Sequence, residues 1–278
     1  VNVFGEKDKD VIYQPVYKVK GLAGAVYEIT ADEDVITPDG TLRYHKGDVV
    51  DTVTTDEDGT AKSKELYLGK YTVVETKAPT GMVINKEKHS VELTYAGQDV
   101  AVTETATSFV NERQKVKISL EKILEQDETF GIGKNDEIKN ISFGLYAKED
   151  VVSSSGTVIP ADGLIEIITL DENGAATANT DLPFGSYYVK EIATDEHYIL
   201  SDTQYPFTFE YAGQNTETVE IKVNDGKPIE NKLIYGSVSG KKIDENGEAL
   251  GGALIGIFKA DETEFTKEHA IICLLYTS

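Results

Sequence analysis

Short runs of alternating apolar and polar residues cover most of the chain, with no sustained 3.6-residue period between them. Residues 71–75, 91–95, 187–191 and 218–223 alternate in polarity and are rich in β-branched and aromatic side chains, which predicts strands. Acidic clusters ending in glycine separate such runs: Asp56-Glu57-Asp58-Gly59, Asp171-Glu172-Asn173-Gly174 and Asp244-Glu245-Asn246-Gly247. They read as hairpin turns in which the glycine takes a positive φ. A calcium loop would require a glutamate about six residues beyond the glycine with oxygen ligands alternating between, and that pattern is missing. Many short strands with frequent turns point to an all-β chain of antiparallel β-sandwiches.

The pattern repeats. Val1-Asn2-Val3-Phe4-Gly5-Glu6-Lys7 matches Val116-Lys117-Ile118-Ser119-Leu120-Glu121-Lys122 and again Gly236-Ser237-Val238-Ser239-Gly240-Lys241-Lys242. Leu68-Gly69-Lys70-Tyr71-Thr72-Val73-Val74-Glu75 matches Phe184-Gly185-Ser186-Tyr187-Tyr188-Val189-Lys190-Glu191, and Tyr95-Ala96-Gly97-Gln98 matches Tyr211-Ala212-Gly213-Gln214. Phe109-Val110-Asn111 pairs with Ile229-Glu230-Asn231. Spacings agree too: Lys7 to Glu75 is 68 residues and Lys122 to Glu191 is 69, while Asn111 to Lys122 and Asn231 to Lys242 are both 11. The expected organisation is one repeat at 1–112, a second at 113–232, and the truncated start of a third at 233–278, each complete unit being long enough for its own core.

Three polar residues stand where the alternation calls for apolar ones. Val116, Ile118 and Leu120 share a strand face that Lys122 continues, and Val1, Val3 and Gly5 lead to Lys7 in the same way. Tyr71 and Val73 lead into Glu75, Tyr187 and Val189 into Glu191, Phe109 into Asn111, and Ile229 into Asn231. A buried ammonium or carboxylate is costly without a partner. If lysine, glutamate and asparagine meet, burial favours their neutral forms, and a proton passes from amine to acid. The amine then becomes a nucleophile against the asparagine carbonyl, while the protonated glutamate polarises that carbonyl and helps ammonia leave. The product would be a Lys–Asn isopeptide amide, made once. A buried hydrogen-bond network without a covalent bond remains the other reading of these residues, and spacing alone does not separate the two.

Composition narrows the partners. The chain is 40 % hydrophobic, enough apolar material for real cores, and its formal net charge of −22 with no basic stripe argues against nucleic acid or an anionic membrane surface. Cys273 is the only cysteine, so no disulfide and no thiol metal site is expected, and the four histidines (His45, His89, His197, His269) are scattered without ligand spacing. No metal, no cofactor and no enzyme acting on an external substrate is expected, since no nucleophile elbow, metal cluster or phosphate loop is present. No run approaches the ~20 apolar residues of a membrane helix. Neither a starting methionine nor a signal peptide is present, which reads as an internal piece of something longer. The stretch 269–278 does not continue the repeat and is expected to be atypical.

The order Leu22-Ala23-Gly24-Ala25-Val26-Tyr27, Asp58-Gly59, Leu68-Gly69-Lys70-Tyr71, Glu75-Thr76-Lys77-Ala78-Pro79-Thr80-Gly81 and Val110-Asn111 resembles the collagen-adhesin B-type family, also called SpaA-type prealbumin-like domains, of Gram-positive adhesins and pilins. The second repeat looks similar, although Ala193-Thr194-Asp195 replaces Ala-Pro, and Leu250-Gly251-Gly252-Ala253 restarts the motif. The resemblance implies tandem prealbumin-like (reverse Ig-like) β-sandwiches, a secreted stalk or spacer at the Gram-positive cell wall, and a Lys–Asn isopeptide bond promoted by glutamate. Carried onto this chain, Lys7, Glu75 and Asn111 serve the first domain and Lys122, Glu191 and Asn231 the second. Lys242 would serve a third domain whose partners are missing. Lys18 and Lys20 are alternatives to Lys7, with poorer spacing. The implied partners are neighbouring repeats, and a host or matrix ligand through a distal region. A second expectation is that a repeat itself binds such a ligand, for which the insertion 32–50, with Tyr44 and His45, is the most variable stretch; a solvated loop is the plainer reading of it.

Overall fold

The computed structural model describes residues 2–7, 10–129, 131–153 and 156–275, with side chains described only between positions 11 and 272. The alternating runs become strands wherever one face finds a core. In chain order the first repeat has β1 (Asn2–Lys7), β2 (Asp10–Gln14), β3 (Val26–Ala31), β4 (Val35–Ile36), β5 (Leu42–Tyr44), β6 (Val49–Thr54), β7 (Gly69–Lys77) and β8 (Lys88–Leu93). The second has β9 (Lys115–Leu124), β10 (Ser142–Ala147), β11 (Val151–Val152), β12 (Val158–Ile159), β13 (Leu164–Thr169), β14 (Ala175–Thr177), β15 (Gly185–Ala193), β16 (Gln204–Phe209), β17 (Thr218–Lys222) and β18 (Ile229–Asn231). The all-β class expected from the alternation is the class observed.

The second repeat is a sandwich. One sheet runs β13-β10-β15-β16, all antiparallel; the other runs β14-β9-β17, with β18 also on β9. Between them lie Ile118 and Leu120 of β9, Phe143 and Leu145 of β10, Tyr187 and Val189 of β15, and Ile229 of β18. Each such side chain, removed from water, contributes about 1.5–3 kcal/mol. β9 is the strand that joins the halves. It pairs antiparallel with β14 on one side and parallel with β17 and β18 on the other, so the first and last strands of the repeat are neighbours.

The first repeat carries the equivalent sheet, β6-β3-β7-β8, over a smaller cluster of Ile29, Ala31, Val35, Val50 and Tyr71. The two sheets share a detail: Tyr71 donates its hydroxyl to the Tyr67 carbonyl (2.6 Å) and Tyr187 to that of Pro183 (2.7 Å), each four residues back. Burial pushes the Tyr71 hydroxyl up to about 12. Among the described residues the first repeat has no strand equivalent to β9. Its β1 pairs with β2, and β2 in turn meets β13 of the second repeat in parallel through Ile12 and Leu164. The expected strand at 91–95 ends at Leu93, and Asn111 lies outside any strand.

The chain divides into two compact units, Val1–Leu233 with both repeats and Ile234–Ser278. The second unit has an antiparallel pair, β19 (Leu254–Ile257) and β20 (Ile272–Leu275), so part of the stretch expected to be atypical is a strand. Residues 236–242 form no strand there. The Cys273 side chain lies outside the described residues.

All three acidic clusters are turns whose glycine has positive φ: Gly59 (77°), Gly174 (79°) and Gly247 (85°). Their leading aspartates are used by the backbone. Asp56 accepts from the amides of Asp58 and Thr60, Asp171 from Asn173 and Ala175, and Asp244 from Asn246 and Glu248. Gly174 does more than turn: its carbonyl accepts from Lys122 N (2.8 Å), and a Cβ there would stand 2.1 Å from the Lys122 carbonyl oxygen. Gly174→Ala should therefore push on β9 and cost roughly 2 kcal/mol or more, by urea denaturation, against about 1 for Gly47→Ala, where φ is positive (93°) but no atom stands within 4 Å.

Candidate functional site

β9, β15 and β18 bring three of the expected residues to one place in the core of the second repeat. The period of two carries Lys122 onto the face of Ile118 and Leu120, and Glu191 onto that of Tyr187 and Val189. Ile229 and Asn231 are likewise the buried ends of β18. Parallel pairing sets Ile229 opposite Lys122, so Asn231 lies one same-face step further on. Lys122, Glu191 and Asn231 are all buried, at 1 %, 1 % and 2 % exposure, which is rare for any of the three.

Lys122 Nζ lies 3.7 Å from Glu191 Oε1 and donates to the Ile229 carbonyl at 3.2 Å. Asn231 Nδ2 donates to both Glu191 oxygens (2.8 and 3.0 Å) and lies 2.9 Å from Thr194 Oγ1. Ser201 N donates to Glu191 Oε2 at 2.9 Å. Burial pulls the Lys122 ammonium down to about 8, against the Glu191 charge, which holds it up. The Asn231 Oδ1 atom is buried with no hydrogen-bond partner among the described residues. The cluster thus has an easily deprotonated amine, a carboxylate touching both other groups, and a carbonyl oxygen left unsatisfied.

The first repeat assembles part of the same arrangement. Asn111 Nδ2 donates to Glu75 Oε2 (2.7 Å) and to the Val83 carbonyl (2.9 Å), and Asn85 N donates to Glu75 Oε2 (2.6 Å), as Ser201 N does to Glu191. Glu75 is 3 % exposed, and its Oε1 has no hydrogen-bond partner among the described residues. Tyr27 is pushed up to about 12, by burial first and then by the nearby Glu75 charge. The Lys7 side chain lies outside the described residues. Lys18 and Lys20 are exposed, as is Lys242 in the second unit.

Two members of the second site were not anticipated. In the sequence Thr194 is only a departure from Ala-Pro, and the Ser201 amide, like any backbone group, leaves no mark there. The insertion 32–50 is a folded hairpin: Asp39 accepts from Thr37 Oγ1 (2.6 Å) and from Thr41 N and Oγ1 (3.1 and 2.9 Å), and Tyr44 packs on Tyr67 at 5.8 Å between ring centroids. Among the described residues no group of three or more His, Cys, Asp or Glu could hold a metal ion, and no helix is long and apolar enough to cross a membrane.

Residues 16–107 and 128–227 match the family described as SpaA: Prealbumin-like fold domain. No curated protein matches the chain. Among solved structures, the Bacillus anthracis TIE protein is 20 % identical with a TM-score of 0.45, the match covering 83 % of this chain and 38 % of that one. The chain thus spans 38 % of the length of that relative. The minor pilin GBS52 of Streptococcus agalactiae is 17 % identical over 84 % of this chain and 90 % of its own, with a TM-score of 0.30. BcpA, the major pilin subunit of Bacillus cereus, is 14 % identical over 77 % and 95 %, with a TM-score of 0.25.

The buried amine makes a titration prediction. Lys122 has its folded pKa near 8 and its unfolded value at 10.5, so between those values the unfolded chain binds more protons and stability rises with pH. In Asn231→Ala, which keeps the amine, stability should rise by about 2 kcal/mol from about pH 7 to about pH 9.5 on this account. Urea denaturation at both pH values, compared with Lys122→Met, isolates the effect. An equal response in the two variants would show that Lys122 does not titrate there.

Proposed function

The chain belongs to the SpaA prealbumin-like fold family, and from that premise we propose that it is a structural stalk of a Gram-positive surface adhesin or pilin-like protein. In this reading its repeats are spacers outside the cell, joined to the cell wall through other parts of the parent protein. They hold a distal region towards a host or matrix ligand. Each complete repeat locks itself with one Lys–Asn isopeptide bond, a single-turnover reaction of its own core rather than catalysis on an external substrate.

The observation that carries the reading is the cluster of Lys122, Glu191 and Asn231, buried together, with Glu191 ion-paired to the lysine at 3.7 Å and accepting hydrogen bonds from the asparagine. Glu191 takes one proton from the Lys122 ammonium, which desolvation has already made a stronger acid. The resulting amine attacks Asn231 Cγ. With the amide turned over, Oδ1 rather than Nδ2 faces Glu191, and the protonated acid polarises the carbonyl. A second proton from the attacking nitrogen passes through Glu191 to Nδ2, the Cγ–Nδ2 bond breaks, and ammonia leaves. The one proton left on Glu191 goes to ammonia or solvent, so the balance is amine plus carboxamide giving amide plus ammonia.

The bond would close a loop of about 110 residues and tie β9 to β18. By the loop-entropy argument used for disulfides it would stabilise the repeat by about 4–5 kcal/mol, and no reductant would cut it. Because the joined strands are the first and last of the repeat, tension along the chain would enter and leave through one covalent link. In the first repeat, Glu75 and Asn111 already touch, and Lys7 is the amine we assign to them.

Intact mass tests this directly. Each bond removes one ammonia, so the protein should be lighter than its sequence by about 17 Da with one bond or about 34 Da with both. Glu191→Ala should restore about 17 Da through the second repeat, and Glu75→Ala the remainder if Lys7 has reacted. A wild-type mass equal to the sequence mass would leave only a hydrogen-bond network. A deficit surviving both variants would remove the glutamates from the chemistry.

A further inference from the structure

The Asn231 carboxamide has a neighbour besides Glu191 whose chemistry the glutamate does not use. Thr194 Oγ1 lies 2.9 Å from Asn231 Nδ2, the atom that also donates to the two Glu191 oxygens. A threonine hydroxyl can accept and donate at once, yet here it only accepts, and its own proton has no partner among the described residues. While Glu191 is ionised, the amide nitrogen must face it. Once Glu191 carries a proton, the carboxamide can turn over and exchange its nitrogen and oxygen. Oδ1 then takes the place of Nδ2, about 2.9 Å from Thr194 Oγ1 and 2.8 and 3.0 Å from the Glu191 oxygens, and the threonine proton has an acceptor. These are the distances at which donors stabilise charge developing on a carbonyl oxygen.

The hydroxyl is fixed before any reaction. Thr194 directly follows β15, and the next residue ties down the turn: the Asp195 carbonyl accepts from Tyr198 N (3.0 Å), and its carboxylate accepts from His197 N (3.1 Å) and Asn140 Nδ2 (2.7 Å). The first repeat has nothing equivalent. Ala78 stands three residues after Glu75, as Thr194 does after Glu191, and brings no side-chain donor. There Asn111 Nδ2 donates to Glu75 and to the Val83 carbonyl, a group that can only accept.

We infer, on the isopeptide reading of this cluster, that Thr194 is a further catalytic residue of the second repeat, its hydroxyl holding the Asn231 oxygen while the bond to Lys122 forms. The lone pair of the Lys122 amine attacks Asn231 Cγ, and the carbonyl π pair moves onto Oδ1, where the hydroxyls of protonated Glu191 and of Thr194 both donate. As that pair returns, the Cγ–Nδ2 bond breaks, and Nδ2 leaves as ammonia with the proton Glu191 has carried from the attacking nitrogen. Thr194 keeps its own proton throughout, so amine plus carboxamide still gives amide plus ammonia. A hydroxyl already in place needs no reorganisation when the charge appears, which is where such donors gain their effect.

The test follows the bond in time. The full chain is made in a short cell-free pulse, samples are denatured in acidic urea at intervals, and digestion with mass spectrometry measures the peptide that joins Lys122 to Asn231. Thr194→Val, which keeps the side-chain shape without the hydroxyl, and Thr194→Ala, which repeats the residue type at position 78, should form that peptide at least about tenfold more slowly than wild type. One such donor supplies roughly a hundredfold or more in other enzymes, and Thr194 is only half-buried. Thr194→Ser keeps the hydroxyl and should stay close to the wild-type rate. Urea denaturation of each substitution in a Lys122→Met chain, where no bond can form, gives the folded fraction and separates slow chemistry from poor folding. Valine and alanine variants that react at the wild-type rate, a serine variant as slow as valine, or a slowing that matches the loss of folded chain would each overturn the role of Thr194 while the wild-type bond stands. A wild-type chain that never yields the joined peptide would overturn that role together with the isopeptide reading.

Discussion

One ammonium in a dry place organises the second repeat. Lys122 lies near the C-terminal end of the strand that bonds to three others, and its side chain is buried from water. A charge in that position costs several kcal/mol unless something answers it. The Ile229 carbonyl and the Glu191 carboxylate answer it, and Asn231 satisfies the carboxylate in turn. Each group is tolerable only because the other two are present.

The comparison of the repeats shows which part of the arrangement the glutamate sheet supplies and which part depends on the first strand. Glutamate, asparagine and the amide ten residues after the glutamate are placed alike in both, because the β3–β7 and β10–β15 pairs share their register: Tyr27 stands opposite Glu75 and Phe143 opposite Glu191. Asn111 does this outside any strand, with its side-chain amide donating to Glu75 and Val83. What distinguishes the second repeat is β9, whose lysine meets an acid that is positioned independently of it. Glu75 is buried with one oxygen that has no hydrogen-bond partner among the described residues.

Period-two alternation made β7, β9 and β15 legible, because each has one face on a core, and it placed Lys122 and Glu191 on buried faces before any contact was known. The acidic turns were legible for a local reason, an aspartate binding amides two and four residues on, with a glycine at positive φ. What alternation does not carry is pairing. That Ile229 lies opposite Lys122 is a contact between residues 107 apart, and that β2 joins the β13 edge links two repeats by one residue pair. Thr194 shows the same limit at the scale of a side chain. A sequence shows a hydroxyl where a relative has none, but its role comes from Asn231, brought there by the far end of the fold.

The repeated Tyr-Ala-Gly-Gln turn was visible as a signature and uninterpretable as one, since a motif that recurs at fixed spacing could serve its own domain or the next. Geometry separates these. Gln214 spends its side chain on Thr76 and Ala78 of the other repeat, and Gln114, just before β9, binds the same turn from behind through Ala212, Gly213 and Thr216. The turn is thus clamped between the linker and the first repeat. Arg113 adds a pairing with Asp181 and lies 3.2 Å from the centre of the Tyr17 ring, while Tyr17 donates to the Asp181 carbonyl at 3.0 Å. A junction held at both its glutamines and at this ion pair resists bending between the repeats. The joint between the repeats therefore keeps its geometry through side chains of the linker and of the 211–214 turn together.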